Sequence, residues 1–262
     1  MHRSQIMTHV YITTTEASLI DRAMALSKEL VIPYSPFPEG TDVFTLNVTH
    51  AGLELTALDH PKQKPLRIDF LSGSNYHRYR FGGGKRQLIG RAVGLKSGYQ
   101  PTVLDITAGL GRDGFVLASL GCSVTLVERS SILYALLRDG LQRANSTTWF
   151  QNLSLTLHHQ EACTYLASLP PEQYPEVIYC DPMFPESKQS ALVKKDMRLL
   201  RELIGDDLDA DQLLPNSLKV ATKRVVVKRH LHAPFINQST PSIQFKGKSS
   251  RYDVYLHQTI SK

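Results

Sequence analysis

The sequence predicts an α/β protein in which a mainly parallel, seven-stranded sheet ends in an antiparallel last strand, preceded by a small α+β region. Three observations predict this fold class. Between residues 103 and 180, short apolar runs alternate with segments of helical periodicity, the pattern of right-handed strand–helix–strand crossovers. A glycine-rich turn joins the first of these strands to its helix. After residue 221, a strand is followed by a hairpin around Gly247, which supplies the antiparallel strand.

The first 74 residues differ in pattern from the rest of the chain. We expect residues 1–74 to form the small α+β region and residues 75–262 to form the main domain. Helical periodicity runs from Glu16 to Leu30, and the prolines between Pro33 and Pro38 then break regular structure. The predicted strands of this region are residues 8–13, 43–48, 53–58 and 66–71, the middle two as a hairpin.

The main domain continues the alternation of strands and helices. Its predicted strands are residues 103–106, 123–127, 153–157, 177–180, 221–228, 242–245 and 252–257. Its predicted helices are residues 87–95, 111–120, 131–143 and 163–168. Ligands of open parallel sheets bind beyond the carboxyl ends of the strands, so we expect the chemistry at residues that directly follow strands.

Composition limits the class of protein. Hydrophobic and charged contents of 42% and 21% are ordinary for a soluble globular chain of 262 residues. The net charge of +6 and the pI near 9.2 favour an anionic partner. Cys122, Cys163 and Cys180 are odd in number and lack metal-ligand spacing, which predicts reduced thiols and no metal. Since no apolar run suits a signal peptide or a membrane span, we expect a cytoplasmic protein that does not enter a membrane.

The glycine-rich turn predicts a nucleotide-cofactor site. Gly109, Gly111 and Gly114 spell G-x-G-x-x-G, and Glu128 ends the next apolar run, a spacing that also fits dinucleotide binding. Asp105 ends the strand before the turn, where its charge would repel a pyrophosphate. The sulfonium and ammonium groups of S-adenosylmethionine would instead be attracted. Alternatively, Asp105 only caps the turn through an Asx-type hydrogen bond.

Acidic residues follow other predicted strands as well. Glu128 is placed to accept hydrogen bonds from a ribose diol, the alternative being a solvated acid at a strand end. Arg129 beside it lines an adenine pocket or faces solvent. Glu161 or Ala162 would lie near the adenine edge, where a polar acceptor can hold the exocyclic amine, although Glu161 equally suits a helix cap.

A second motif, Asp181-Pro182-Met183-Phe184-Pro185, follows the predicted strand at 177–180. It resembles the Asp/Asn-Pro-Pro-Tyr/Phe motif of amino-group methyltransferases, with Met183 in place of the second proline. The nitrogen lone pair of a base amine is delocalised into the ring, which makes it a poor nucleophile. Asp181 and the Pro182 carbonyl can accept hydrogen bonds from the amine N–H groups and aim the nitrogen lone pair at the methyl group. Phe184 can stack on the base. The alternative is a strand-ending turn with a core phenylalanine.

Two basic segments are candidates for contact with RNA. Residues 75–86 crowd basic and aromatic side chains around three glycines, and residues 188–201 place lysines and arginines after the second motif. The alternatives are a solvated loop whose tyrosines cover the domain and a solvated helix face. The predicted RNA-binding residues are Arg78, Arg80, Lys85, Arg86, Lys188, Lys194 and Lys195.

With both motifs in hand, the chain resembles the family of ribosomal RNA small-subunit methyltransferase J. The resemblance rests on Phe81-Gly-Gly-Gly84, Asp105-Ile-Thr-Ala-Gly-Leu-Gly-Arg-Asp-Gly114, Asp181-Pro-Met-Phe-Pro185, Ser190-Ala-Leu-Val-Lys-Lys195 and residues 221–229, and is faint before residue 75. It implies a Rossmann-like class I methyltransferase fold, S-adenosylmethionine as cofactor, and methylation of a guanine N2 amine in 16S ribosomal RNA, either naked or in the small subunit. The cofactor-binding residues it implies, together with those argued above, are Asp105, Thr107, Gly109, Gly111, Arg112, Asp113, Glu128, Arg129, Glu161, Ala162 and Asp181.

Three alternatives stay open on the residues alone. A dinucleotide-dependent oxidoreductase shares the glycine fingerprint but is disfavoured by Asp105, by the second motif and by the closing hairpin. A non-catalytic RNA-binding module would keep the fold without turnover. A methyltransferase of another amine, such as adenine N6 or a protein glutamine, fits the same motif chemistry, since only the family resemblance indicates guanine. The oligomeric state is not indicated.

Overall fold

The structure is a computed structural model that describes residues 9–81, 84–183, 195–207 and 209–257. Its strands are β1 (His9–Thr13), β2 (Val43–Thr49), β3 (Gly52–Ala57), β4 (Thr102–Asp105), β5 (Ser123–Glu128), β6 (Leu155–His159), β7 (Val177–Cys180), β8 (Arg224–His230), β9 (Ile243–Lys246) and β10 (Ser250–Leu256). Its helices are α1 (Ile20–Leu30), α2 (Gly73–Phe81), α3 (Leu88–Ala92), α4 (Arg112–Ser119), α5 (Ser131–Ala144), α6 (Thr148–Gln151), α7 (Ala162–Ser168), α8 (Lys195–Ile204) and α9 (Ala210–Val220).

The chain divides into two compact units. The first draws on residues 1–68, 135–143 and 186–206, and the second on residues 69–134, 144–185 and 207–262. None of the helices in the described part of the chain is both long and apolar enough to cross a membrane.

The first unit contains a three-stranded sheet in the order β1-β2-β3. β1 and β2 are parallel, since α1 connects them, and β2 and β3 form the predicted hairpin. The strand predicted at residues 66–71 is wrong, because only Leu66 pairs, in a single bridge to Leu55. The chain then turns at Asp69, whose Oδ1 accepts the N–H groups of Leu71 and Ser72 at 2.8 and 3.2 Å. This Asx turn prevents a longer strand.

The second unit contains a seven-stranded sheet in the order β6-β5-β4-β7-β8-β10-β9. β10 is antiparallel to both of its neighbours, and the other pairs are parallel, which confirms the predicted fold class. Leu104, Ile178 and Val225 of neighbouring strands are buried in one apolar cluster. Burying each such side chain contributes about 1.5–3 kcal/mol. The cluster therefore fixes the strands whose carboxyl ends carry the predicted site.

Residues 73–81 form the helix α2, in the stretch for which a solvated loop was the alternative to RNA contact. The Tyr79 ring stacks on Trp149 of α6 with 4.5 Å between ring centroids and 11° between planes. Tyr76 lies 6.0 Å from the same indole. The tyrosines of α2 thus cover the domain, which agrees with the alternative to RNA contact. The Tyr79 ring is already stacked on a side chain of this protein.

Candidate active site

The glycine turn between β4 and α4 has the geometry that its sequence predicts. Gly109 and Gly111 have φ angles of +54° and +69°, which are costly for any residue with a Cβ. A Cβ on Gly114 would lie 2.3 Å from Cδ2 of Leu126 on β5. A Cβ on Gly109, in contrast, would meet nothing closer than 3.8 Å. The turn therefore combines close packing of α4 on the sheet with open space at Gly109.

Asp105 lies at the end of β4 with only 2% of its surface exposed. Its Oδ1 accepts the N–H of Thr107 at 3.1 Å, so the Asx-type bond of the alternative interpretation is formed. Burial, opposed by this hydrogen bond, raises the pKa of Asp105 to about 8. A cation placed against this carboxyl group would stabilise its ionised form.

Glu128 connects the end of β5 to the glycine turn. Its Oε2 accepts the N–H of Gly109 at 2.7 Å, and its Oε1 accepts the N–H of Ser130 at 2.8 Å. Burial raises the pKa of Glu128, while these two backbone donors oppose the shift. Each carboxylate oxygen keeps a second lone pair, so the group can still accept from a ribose diol.

Arg129 and Glu161 both have partners within the protein. Arg129 Nη1 donates to both carboxylate oxygens of Asp209 at 2.9 Å, and its Nη2 pairs with Asp207. The Glu161 carboxylate caps α7, accepting the N–H groups of Cys163 and Thr164, both at 2.7 Å. The capping alternative is therefore realised for Glu161.

The second motif begins directly after β7. The Asp181 N–H donates to Oγ1 of Thr107 at 2.6 Å, so Thr107 joins the glycine turn to the motif. The Asp181 side chain is 39% exposed, and its Oδ2 accepts from Nζ of Lys228 at 2.6 Å. Two residues on, the Met183 N–H donates to Oδ2 of Asp207 at 2.6 Å. Phe184 lies outside the described residues.

Asp113, in the first turn of α4, lies within a polar network. Its Oδ1 accepts from Arg78 Nη1 at 2.9 Å. Its Oδ2 accepts from the Tyr179 hydroxyl at 2.6 Å and from Lys228 Nζ at 2.8 Å. Burial disfavours the carboxylate, but Lys228 and Arg78 outweigh it and hold the pKa of Asp113 well below its ordinary value. The network extends from α2 to the Asp181 motif.

The predicted RNA-binding residues differ in their surroundings. Arg78 donates to Asp113 and, from Nε, to Gln87 at 3.1 Å, so much of its donor capacity is used. Arg80 and Arg86 are exposed. Lys188 and Lys194 lie outside the described residues, as do the side chains of Lys85 and Lys195.

Comparison with known proteins identifies the family. A family model for SAM-dependent methyltransferases matches residues 30–257. The ribosomal RNA small subunit methyltransferase J of Cellvibrio japonicus is 47% identical over 249 residues, covering 91% of this chain and 94% of that protein. Proteins of the same name from Coxiella burnetii and Aeromonas salmonicida are 48% and 52% identical, over 94% and 83% of this chain and 96% and 88% of their own lengths. The chain belongs to this family.

Among solved structures, a SAM-dependent methyltransferase from Neisseria gonorrhoeae superposes with a TM-score of 0.74 and 32% identity, covering 96% of this chain and 97% of that one. The methyltransferase J family resemblance and the Rossmann-like class I fold are thus confirmed, and the oxidoreductase alternative is not favoured. S-adenosylmethionine is the cofactor. It supplies an electrophilic methyl group when bound.

The residues present fit this cofactor. The open space at Gly109 admits a ligand to the backbone, and buried carboxyl groups at two adjacent strand ends suit its cationic and hydroxyl groups. Among the described residues, no group of three or more His, Cys, Asp or Glu side chains lies together as metal ligands would.

Sequence reasoning missed Lys228, Tyr179 and Asp207 as parts of this site. Lys228 follows three valines at the end of the strand predicted at 221–228, so a search of strand ends for cations as well as acids would have found it. Tyr179 lies within a strand and Asp207 within a loop, and no local pattern marks either of them.

Proposed function

We propose that this chain transfers the methyl group of S-adenosylmethionine to the exocyclic N2 amine of a guanosine in 16S ribosomal RNA, in the cytoplasm. The names of its relatives support ribosomal RNA of the small subunit as substrate. One structural observation supports the reaction type: the Asp181 N–H donates to Oγ1 of Thr107 at 2.6 Å, so the motif that resembles those of amino-group methyltransferases lies next to the glycine turn.

We assign the cofactor to the carboxyl ends of β4, β5 and β6. Asp105 would face the cationic methionine end, next to Gly109 and Gly111 of the turn, and Glu128 would accept from the ribose. Arg112 and Asp113 lie in the first turn of α4, where helix N–H groups point outward, and the Asp113 carboxylate itself is held by Lys228. We assign the adenine contacts to Arg129 and the pair Glu161-Ala162. Thr107 and Asp181 are the remaining proposed cofactor-binding residues.

The target amine would lie between Asp181 and the Pro182 carbonyl. These two acceptors take hydrogen bonds from its N–H groups, which localises the nitrogen lone pair and directs it at the methyl group. As the N–CH₃ bond forms in line, the S–CH₃ bond breaks, S-adenosylhomocysteine leaves, and the methylated nitrogen loses one proton to solvent. Phe184 would stack on the guanine. No covalent enzyme intermediate is required.

Exposed Arg80 and Arg86 would contact RNA phosphates, together with Lys85, Lys188, Lys194 and Lys195. Arg78 would contribute to the RNA only through N–H groups that do not bind Asp113 or Gln87. In this proposal the phosphate contacts would supply RNA affinity, and the Asp181 motif would supply the reaction.

The test uses labelled S-adenosylmethionine with ribosomal RNA and with small subunits from cells that lack this protein, followed by mapping of the methylated base. We expect one N2-methylguanosine, and loss of label with Asp181→Ala. Calorimetry with S-adenosylhomocysteine and a melting curve show that the variant remains folded. Label on adenine N6 or on protein, or full activity of the folded Asp181→Ala protein, would reject the proposal.

A further inference from the structure

Lys228 lies between two carboxylates of the candidate active site. It belongs to β8, and its side chain is 26% exposed. Its Nζ lies 2.8 Å from Oδ2 of Asp113 and 2.6 Å from Oδ2 of Asp181. An ammonium group has three donors and no acceptor, so Lys228 can only present N–H bonds to either partner.

The position of Lys228 is fixed by groups from several elements. Asp113 is held from the other side by Arg78 of α2 and by the hydroxyl of Tyr179, which is 1% exposed. Burial disfavours the ammonium form, but the charges of Asp181 and Asp113 outweigh it and raise the pKa of Lys228 above its ordinary value. Lys228 is therefore a fixed cation.

Given the proposed function, on which this inference rests, we propose that Lys228 is a positioning residue. It binds Oδ2 of Asp181, keeps this carboxylate ionised, and leaves Oδ1 to accept the N–H of the target amine. Lys228 does not touch the substrate. Its effect on methyl transfer acts through the charge and the rotamer of Asp181.

Because of this arrangement, the effect of a substitution at residue 181 depends on whether Lys228 is present. In Asp181→Asn, the ammonium group binds the amide oxygen, since it can only donate, and the amide NH₂ then faces the amine. Two donors would oppose each other, so the amine loses its acceptor. Replacing Lys228 by methionine removes this constraint and allows the amide to present its oxygen.

Lys228 also sets the pH range in which Asp181 works. The titratable groups that interact electrostatically with Asp181 are Lys228 of β8, Asp113 of α4, Asp105 of β4, Asp207 before α9, Tyr179 and Cys180 of β7, and Tyr252 of β10. Partial burial raises the pKa of Asp181, and the Lys228 ammonium group opposes that shift. Of the groups named here, Lys228 is the one that carries a positive charge. Its removal therefore moves the acid limb of the rate profile to higher pH.

The experiment measures single-turnover methylation of ribosomal RNA against pH. For Lys228→Met we expect a loss of about tenfold or more at pH 7 that shrinks as the pH rises, and for Lys228→Arg the wild-type profile at a reduced rate. For Asp181→Asn we expect a loss of about 100-fold. The double variant Asp181→Asn with Lys228→Met should be faster than Asp181→Asn alone, which a merely structural lysine would not produce.

Lys223→Met is the matched control. Lys223 directly precedes β8, is 48% exposed and pairs with Glu176 at 2.6 Å, so the same substitution removes a salt bridge outside the site. Its rate and pH profile should equal those of the wild type. Affinity for S-adenosylhomocysteine and melting temperature show whether each variant is folded.

Two results would overturn the inference: a double variant no faster than Asp181→Asn, or a wild-type pH profile for folded Lys228→Met. If Lys228→Met does not fold, wild-type activity of Asp181→Asn would be enough to overturn it. A wild-type protein without activity on RNA would instead reject the proposed function. In that case, ¹³C NMR of the Asp181 carboxyl still tests the pairing, because its titration should shift between wild type and Lys228→Met.

Discussion

Asp207 and Met183 are joined by two hydrogen bonds: the Met183 N–H donates to Oδ2 of Asp207 at 2.6 Å, and the Asp207 N–H donates to the Met183 carbonyl at 2.8 Å. The same carboxylate pairs with Arg129, which follows the cofactor strand β5. Asp207 therefore contacts both the proposed amine-binding motif and the proposed adenine side of the candidate site. We expect such a shared contact to couple the binding of the two ligands, and coupling between binding sites is reciprocal.

We expect RNA to tighten the binding of S-adenosylhomocysteine to the wild type by a factor of about 5 or more. Asp207→Ala should bring this factor close to one, because it removes the carboxylate that joins the Met183 N–H to Arg129, although the backbone bond from residue 207 to the Met183 carbonyl remains. Asp209→Ala is the control, since Asp209 also pairs with Arg129, whereas the Met183 N–H donates to Asp207. Calorimetry with and without RNA measures both factors, and an equal reduction in the two variants would contradict this role of Asp207.

Cofactor affinity should increase with pH. In the free protein Asp105 has a pKa of about 8 and is mostly protonated at pH 7. The cationic groups of S-adenosylmethionine favour the carboxylate, so binding releases a proton. The affinity then rises by up to about tenfold per pH unit as the pH approaches 8, and levels off above it.

Calorimetry in buffers of different ionisation enthalpy counts the released protons directly. Asp105→Asn should show a flat profile between pH 6 and 8, and S-adenosylhomocysteine, which lacks the sulfonium charge, should show a weaker slope than the cofactor. No proton release by the wild type would indicate that Asp105 does not face the cation.

Two glycines of the turn should respond differently to alanine. Gly114→Ala forces a methyl group to within 2.3 Å of Leu126, so we expect a loss of about 1–3 kcal/mol in the free energy of unfolding. Gly109→Ala has space for the methyl group, and its strained φ should cost about 1 kcal/mol. Its larger effect should be on cofactor affinity, because the methyl group enters the open space. Urea unfolding and calorimetry separate the two effects, and equal cofactor affinity of the two folded variants would contradict this distinction.

Arg80 should contribute to RNA affinity through charge alone. Arg80→Gln should weaken binding to RNAs of any sequence and reduce the slope of log affinity against log salt by about 1. Lys28→Gln, on exposed α1, is a charge-matched control that should leave the slope unchanged. Filter binding over a range of salt concentrations tests both. An unaltered slope for Arg80→Gln would remove α2 from the RNA-binding surface.

The sequence predicted the sheet of the second unit well because its signals are local. Short apolar runs, the turn at Gly109 and Gly111, and the closing hairpin each specify their own segment. The strand prediction at residues 66–71 was wrong because it also relied on a local apolar pattern. The apolar residues suit a strand, but the side chain of Asp69 accepts the backbone N–H groups two and three residues on. Competition between a side chain and the strand ladder is not visible in hydrophobic periodicity.

The site was predicted at the level of strand ends, but its internal pairing was not. Sequence position placed Asp105, Glu128 and Asp181 at one edge of a parallel sheet, whereas the bond between Lys228 and Asp181 joins residues 47 positions apart. Such a pair depends on the order of β7 and β8 and on the rotamers of both side chains. The domain boundary at residue 74 and the individual ligand contacts remain predictions.

The position of β10 has a consequence for the way the chain folds. β10 follows β9 in sequence but separates it from β8 in the sheet, and Val254 of β10 pairs with Val226 on one side and Ile243 on the other. Until β10 is in place, β8 has an unpaired edge and β9 has no partner strand within this sheet. During synthesis that edge is a template for wrong pairing with other chains. Pairing of β10 with both strands therefore completes the sheet and covers this edge.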